Sequence, residues 1–378
     1  MNWMPDSVQL TGDLHELIPV LLISHITFGE KGDEMILNRL KAWKGIVVTM
    51  LAVCMVVGMG MSHPLSAGDK KPTVIKVGTF GDPSTLKIGW AKGWFDEATG
   101  VQNKWATFDS GADVIEALTY CDLDISSLGS APTTIGVARG APFMVVAVEM
   151  DLADNEALIA RPGITVVHDL IGKNIATPFG STSHYALMRV LKVNNISPRQ
   201  LTLVDMGSME AAGAFKDGVI DGAWIWDPAY MAMIEAGGHI VMSSGDVGKM
   251  GYPTWNNIVV RKEFAETYPD VLVTWLSAFL KTVDFYHKNP QEAARIVAKR
   301  LGTKYESAFK MMKGFGFPSA TEQLAPQWLG KPGQTGAVAK GIRDTSEFLV
   351  DQKIISTPLV MAVCCDAVDS SFLIRAMK

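Results

Sequence analysis

From Thr73 onward, short runs rich in β-branched and aromatic residues alternate with stretches of helical spacing. VIKVGTF precedes a helix opened by Asp82 and Pro83, NKWATF a helix from about Gly111, and LDISSLG a helix after Pro132, before FMVVAV. Strand and helix in strict alternation predict a mostly parallel sheet with helices on both faces. The pattern restarts after Arg161, Pro162 and Gly163 with NIATPFG, a helix over 182–193, LTLVDMG, a helix over 209–217, DGAWIWD, a helix after Pro228, and HIVMSS. A second lobe of the same α/β class is therefore expected. WNNIVVRKEF reads as one more strand, and the chain beyond it as helical, with amphipathic stretches near 270–288 and 291–301.

Upstream, residues 45–61 form an uncharged apolar run, preceded by Arg39, Lys41 and Lys44 and followed by Pro64, Leu65, Ser66 and Ala67. A basic flank, an apolar stretch and a small-residue end are the three parts of a secretory signal. The run falls short of the roughly 20 residues a spanning helix needs, which favours export over a membrane anchor. Asp13, Glu16, Glu30, Asp33 and Glu34 precede the basic flank, so Met35 is the expected start of translation. Residues 1–67 are thus expected to be a leader, cleaved near Ala67. Val53 stands where lipoprotein processing at Cys54 needs a small residue, so no lipid anchor is expected.

With 378 residues the chain is long enough for two lobes. Its 34 basic against 39 acidic side chains, a formal charge of -5, withhold the electrostatic term on which nonspecific nucleic-acid binding depends. Cys54, Cys121, Cys364 and Cys365 show none of the spacings of a zinc site. No G-x-G-x-x-G follows the first strand and no Walker loop is present, so no cofactor is expected.

Three stretches place glycine and small hydroxyl residues at a helix start: 108–112, 128–132 and 180–185. A helix N-terminus carries unpaired N–H groups and the positive end of the helix dipole, so several converging on one point make an anion socket without a lysine. Simple N-capping by Ser110, Ser130 and Ser181 explains each stretch alone. Residues 122–132 and 220–228 each run from an acidic turn through a strand into a Pro-opened helix, an echo between the lobes that points to one shared cleft. Asp227 precedes Pro228 as a helix cap does; the alternative is a partner for a ligand cation, helped by Trp224, Trp226, Tyr185, Tyr230 and Trp255. Strand alternation puts Trp224 and Trp226 on one face, so core packing is equally expected of them. His184 lies near Ser181 and Ser183, but the G-x-S-x-G elbow of a hydrolase is absent.

The run 108–112, LGSAP at 128–132, NEAL at 155–158, PFGSTSHYALM at 178–188, DGAWIWDPA at 221–229 and VVRKEFAE at 259–266 together resemble the taurine-binding proteins of bacterial ABC importers. The resemblance spans roughly 73–350. It implies an α/β fold of the type II periplasmic binding protein class, two doubly wound lobes with a ligand cleft between them and no catalytic activity. It assigns 73–160 plus 257–350 to lobe one and 161–256 to lobe two, with hinges near Ala160 and Asn257 and a C-terminal tail over 351–378. It also implies partners: a small sulfonate, taurine favoured, and permease and ATPase subunits that provide the only contact with the membrane.

In such proteins the helix starts matching Ser110, Gly111, Ser130, Ser181, Thr182 and His184 surround the sulfonate. One position departs from the pattern. Where the family carries an aspartate suited to the taurine ammonium, this chain has Asn256. The carboxylates expected to replace it are Asp227 first, beside Trp226, then Asp109, Glu156 and Asp82, with Asp109 alternatively facing its own helix start and Glu156 bracing the hinge. Competing expectations are a binding protein for a sulfonate without an amine or another small anion, a sensory binding protein, and an enzyme of thiamine-precursor synthesis on the same scaffold.

Overall fold

The computed structural model describes residues 70–378, and the leader expected over 1–67, with its signal, its start at Met35 and Cys54, lies outside the described residues. The strands are β1 (Ile75–Thr79), β2 (Asn103–Thr107), β3 (Ile125–Gly129), β4 (Phe143–Asp151), β5 (Glu156–Ala160), β6 (Asn174–Thr177), β7 (Thr202–Asp205), β8 (Gly222–Trp226), β9 (His239–Ser243) and β10 (Trp255–Arg261). They form two five-stranded sheets in the orders β2-β1-β3-β10-β4 and β7-β6-β8-β5-β9. Helices between successive strands supply the crossovers that parallel neighbours require.

Each sheet departs from the expected parallel pattern at one strand. β10 runs antiparallel to β3 and β4, and β5 antiparallel to β8 and β9. These are the first strands the chain forms after crossing from one lobe to the other, and each enters its new sheet beside the edge strand. The crossings therefore lie at 152–155 and 250–254, not at Ala160 and Asn257. β5, expected at the end of lobe one, belongs to the second sheet; Trp255 and Asn256, expected in lobe two, belong to the first. The Arg161-Pro162-Gly163 break is the turn leaving β5, which imitates a boundary because Pro and Gly interrupt any element.

Residues 351–378 are not a free tail. Helices Met361–Asp366 and Ser371–Ala376 pack on lobe one. The Val145 N–H donates to the Ala367 carbonyl (2.8 Å) and the Asp369 N–H to that of Val145 (2.8 Å), covering the open edge of β4. The expected amphipathic stretches are the helices Pro269–Lys288 and Pro290–Leu301. The first buries Trp275 between Phe95 and Phe279, against the first sheet's helices.

A third connection between the lobes comes from the helix Ala337–Asp351. It packs on the Ser130–Ala138 helix of lobe one, while its Phe348 meets the rings of His184 and Tyr185 and its Asp344 carbonyl accepts from Arg189 Nη2 (3.1 Å) in lobe two. Arg189 lies among the rings of Tyr185, Tyr252 and Phe348.

Candidate ligand-binding cleft

The carboxyl ends of β1, β3 and β8 and the helices that begin beside them face one cleft, the place where open α/β sheets hold ligands. Lobe one contributes Phe80, Asp82, Gly111, Gly129, Pro132 and, from β10, Asn256; lobe two contributes Glu156, Ser181, Thr182, Trp226 and Asp227. Leu152 and Asn155 come from the first crossing, and Phe315 from the helical C-terminal region. The empty volume, with its open mouth, is about 520 Å³. The lobes come close here: a Cβ added to Gly129 would lie 3.2 Å from Thr182 Cγ2 and 3.5 Å from Asn256 Oδ1. Gly111 admits no side chain at all, since its Cβ would fall 2.4 Å from Pro132 Cγ.

One end of the cleft is built from helix starts. Ser181 caps the Thr182–Val193 helix, its Oγ accepting from the His184 N–H (3.1 Å). Acceptance uses a lone pair and leaves the hydroxyl proton free to donate to a ligand. The Thr182 hydroxyl donates instead to Glu156, so what Thr182 offers the cleft is its backbone N–H at the positive end of the helix dipole. Across the cleft stand the first residues of the Gly111–Thr119 and Ser130–Ala138 helices. Among the described residues, no lysine or arginine lines this cleft.

The other end is acidic. Asp227, 3% exposed, follows β8; its Oδ1 accepts from the Met231 N–H (3.2 Å), and its Oδ2 has no partner. Burial pushes its carboxyl up to about 7, and the negative Asp82 adds to the shift against the lowering effect of the Met231 N–H and Lys310. Asp82, 7% exposed, follows β1 in the opposite lobe, and its Oδ1 is also unpartnered. Burial raises it too, opposed by Lys87. Behind Asp82 lies a buried ion cluster. Lys87 is completely buried and donates to Thr79 Oγ1 (2.5 Å) and the Phe80 carbonyl (2.7 Å). Glu149 accepts from the Ser127 hydroxyl and is pushed up to about 7 by burial and the Asp82 charge.

Glu156 sits where the chain crosses. Its buried carboxylate accepts from the hydroxyls of Thr182, Ser183 (2.9 Å), Ser244 (2.6 Å) and Thr254 (3.2 Å). It thereby ties the first crossing to the second and to two helix starts of lobe two. Burial raises its pKa, and the four hydroxyls oppose the rise.

Of the residues singled out from sequence, Asp82, Gly111, Glu156, Ser181, Thr182, Trp226, Asp227 and Asn256 line the cleft, and Ser110, Asp109, Ser130 and His184 are not among its lining residues. Ser110 caps its helix, but its proton goes to Asp113 Oδ2 (2.7 Å). Asp109 is exposed. Ser130 is the first helical residue, with Gly129 at the cap position, and Pro132 lies inside the helix rather than opening it. His184 is buried, stacked on Phe179 with its Nδ1 accepting from the Gly180 N–H (3.2 Å); burial lowers its pKa to about 4, so it is neutral and offers an anion no charge. Trp224 is core, its Nε1 donating to Ser244 Oγ (3.3 Å), and Trp255 is buried with its Nε1 on Asn257 Oδ1 (2.8 Å). Pro228, not Asp227, occupies the helix cap position. The cleft-lining Phe80, Leu152 and Phe315 carry no motif, and Asn155 opens the NEAL run without having been singled out as a site residue; none of the four was among the sequence candidates.

Two α/β lobes, two crossing strands and a cleft at the strand ends define the type II periplasmic binding protein fold. The family model described as NMT1/THI5 like matches residues 86–293, and the chain belongs to this family. The taurine-binding periplasmic protein of Escherichia coli (strain K12) is 33% identical over 273 residues, covering 70% of this chain and 82% of that protein. The putative aliphatic sulfonates-binding protein of Bacillus subtilis (strain 168) is 27% identical over 340 residues, 89% of this chain and 97% of that one. Among solved structures, the alkanesulfonate-binding protein SsuA from Xanthomonas axonopodis pv. citri bound to MOPS matches with a TM-score of 0.66 at 19% identity, over 78% of this chain and 98% of that chain. The desulfurization enzyme DSZB matches with a TM-score of 0.57 at 13% identity, over 81% and 99%. The scaffold is thus shared by binding proteins and an enzyme, and function must be argued from the site.

Proposed function

We propose that this chain is the substrate-binding component of an ABC importer, acting in the periplasm, that binds taurine or a related short organosulfonate and delivers it to a membrane permease driven by an ATPase subunit. The observation that carries this reading is the helix-start end of the cleft, where N–H groups from both lobes and the free Ser181 proton meet without a basic side chain. A sulfonate is a strong acid with three acceptor oxygens, so it remains anionic and is held by neutral donors and helix dipoles. The amine of taurine lies toward Asp227, which stands in for the carboxylate absent at Asn256. The relatives named taurine-binding and aliphatic sulfonates-binding support the same ligand class.

The chain acts without catalysis. Ser181 has no general base beside it, because the neutral His184 ring accepts from Gly180 and packs between Phe179 and Phe348. No helix among the described residues is long and apolar enough to cross a membrane. The test is a thermal-shift screen of small sulfonates, amino acids and carboxylates on the purified protein. Stabilisation by taurine or ethanesulfonate, and not by glycine or acetate, is expected; stabilisation by carboxylates alone would remove the reading.

A further inference from the structure

Two features of the acidic end go unexplained by a single carboxylate at Asp227. The unpartnered oxygens come as a pair, Asp82 Oδ1 from lobe one and Asp227 Oδ2 from lobe two, both more than nine-tenths buried and both on the cleft wall. Their segments also approach across the cleft, since a Cβ added to Gly81 would lie 4.0 Å from Pro228 Cδ. We propose that Asp82 and Asp227 together form a cation subsite spanning the two lobes, filled by the primary ammonium of the ligand, so that the amine end is the contact that draws the lobes shut and selects an amine-bearing sulfonate.

The inference rests on the sulfonate reading above and adds the second wall. The two buried carboxylates repel one another, an effect that Lys87 offsets at Asp82 only in part, and such a pair favours keeping a proton on one member. An ammonium with three N–H donors satisfies both oxygens at once and displaces that proton to solvent. Trp226 lines the same cleft, and an indole face attracts a cation. The charged and titratable surroundings are accounted for: Lys87 and Glu149 act on Asp82, Lys310 acts on Asp227, and Arg300 acts on Lys87. Lys87 is held by Thr79 Oγ1 and the Phe80 carbonyl behind the wall, and its hydrogen bonds do not reach Asp227. Among the described residues no group of three or more acidic, His or Cys side chains could hold a metal ion.

The experiment is calorimetry at pH 7 with taurine and with ethanesulfonate, which keeps the anion and lacks the amine, in two buffers of different ionisation enthalpy. Taurine is expected to release roughly half a proton, as a carboxyl poised near 7 becomes fully ionised, whereas ethanesulfonate releases none. Asp82→Asn and Asp227→Asn are each expected to weaken taurine roughly tenfold to a hundredfold while sparing ethanesulfonate, whose retained binding also reports an intact fold. Asp82→Ser carries the same expectation if the asparagine variant does not fold. A loss of taurine affinity with Asp227→Asn but not with a folded Asp82 variant would overturn the paired subsite and leave the sulfonate reading standing, as would equal proton counts for the two ligands. Wild-type protein that binds neither compound would remove both.

Discussion

The two ends of the cleft solve opposite electrostatic problems by opposite means. The helix-start end carries no basic side chain, and its one carboxylate, Glu156, is held by four hydroxyls. Its hydroxyls are already spoken for, Ser181 by the His184 N–H and Thr182 by Glu156, and what remains for a ligand are N–H groups and one proton. The acidic end carries two buried carboxyl groups, both held above their usual range, with one oxygen on each that has no hydrogen-bond partner among the described residues. The first end is therefore pre-organised and costs little when empty, whereas the second is strained until a cation arrives. On the proposed reading, an anion alone suffices for binding at one end, and the other end supplies the discrimination.

The largest expected effect lies between the ends, at Glu156. Glu156→Ala leaves four buried hydroxyl donors without their acceptor and is expected to cost roughly 3–5 kcal/mol of stability in denaturant unfolding, with Glu156→Gln costing clearly less. Equal stability in wild type and Glu156→Ala would mean that the crossing is not braced there.

Next comes the pH dependence of the empty protein. A carboxyl raised from 3.8 to about 7 makes the folded state bind more protons than the unfolded one, so stability is complete below about 4 and declines as pH rises toward 7. The Asp227 share of the loss is on the order of 4 kcal/mol, and Asp227→Asn should remove that share while Glu149, also raised to about 7, keeps a decline of its own in the same window. His184 works the other way: lowered from 6.5 to about 4, it contributes stability present above 6.5 and lost as pH falls toward 4. A His184→Gln variant should therefore gain relative stability at the acid end of that window. Unfolding curves at several pH values separate the two, and an Asp227→Asn profile parallel to wild type would contradict the strained-end account.

Smaller effects distinguish the two capping serines. Ser181→Ala should weaken sulfonate binding roughly tenfold to a hundredfold and cost about 1 kcal/mol of stability, because it removes both a ligand donor and a cap. Ser110→Ala should cost about the same stability and leave affinity unchanged, since its proton is held by Asp113. Equal affinity losses in the two variants would erase the distinction.

Much of this architecture is legible in the chain because it is written in local signals. Buried parallel strands such as ISSLG read as short runs between turns, and Ser181 and Ser110 read as caps. What stayed hidden depends on long-range partners. EALIA looks like the tail of lobe one because its antiparallel neighbours in β8 and β9 lie more than sixty residues away. His184 is adjacent to the cleft in sequence, yet the helix turns its ring back toward Phe348, which comes from a distant helix. Lys87 gives no sign of being buried, since a lone lysine on a helix ordinarily meets solvent. Phe315 reaches the cleft from a segment without a motif.

The most direct test of a cleft with two chemically different ends is a crystal structure of the protein with taurine bound near pH 7. The account predicts sulfonate oxygens within hydrogen-bond distance of Ser181 Oγ and the helix-start N–H groups, and the ammonium between the carboxylates of Asp82 and Asp227. An ammonium seated on Asn256 with both aspartates out of reach, or a sulfonate at the acidic end, would contradict it.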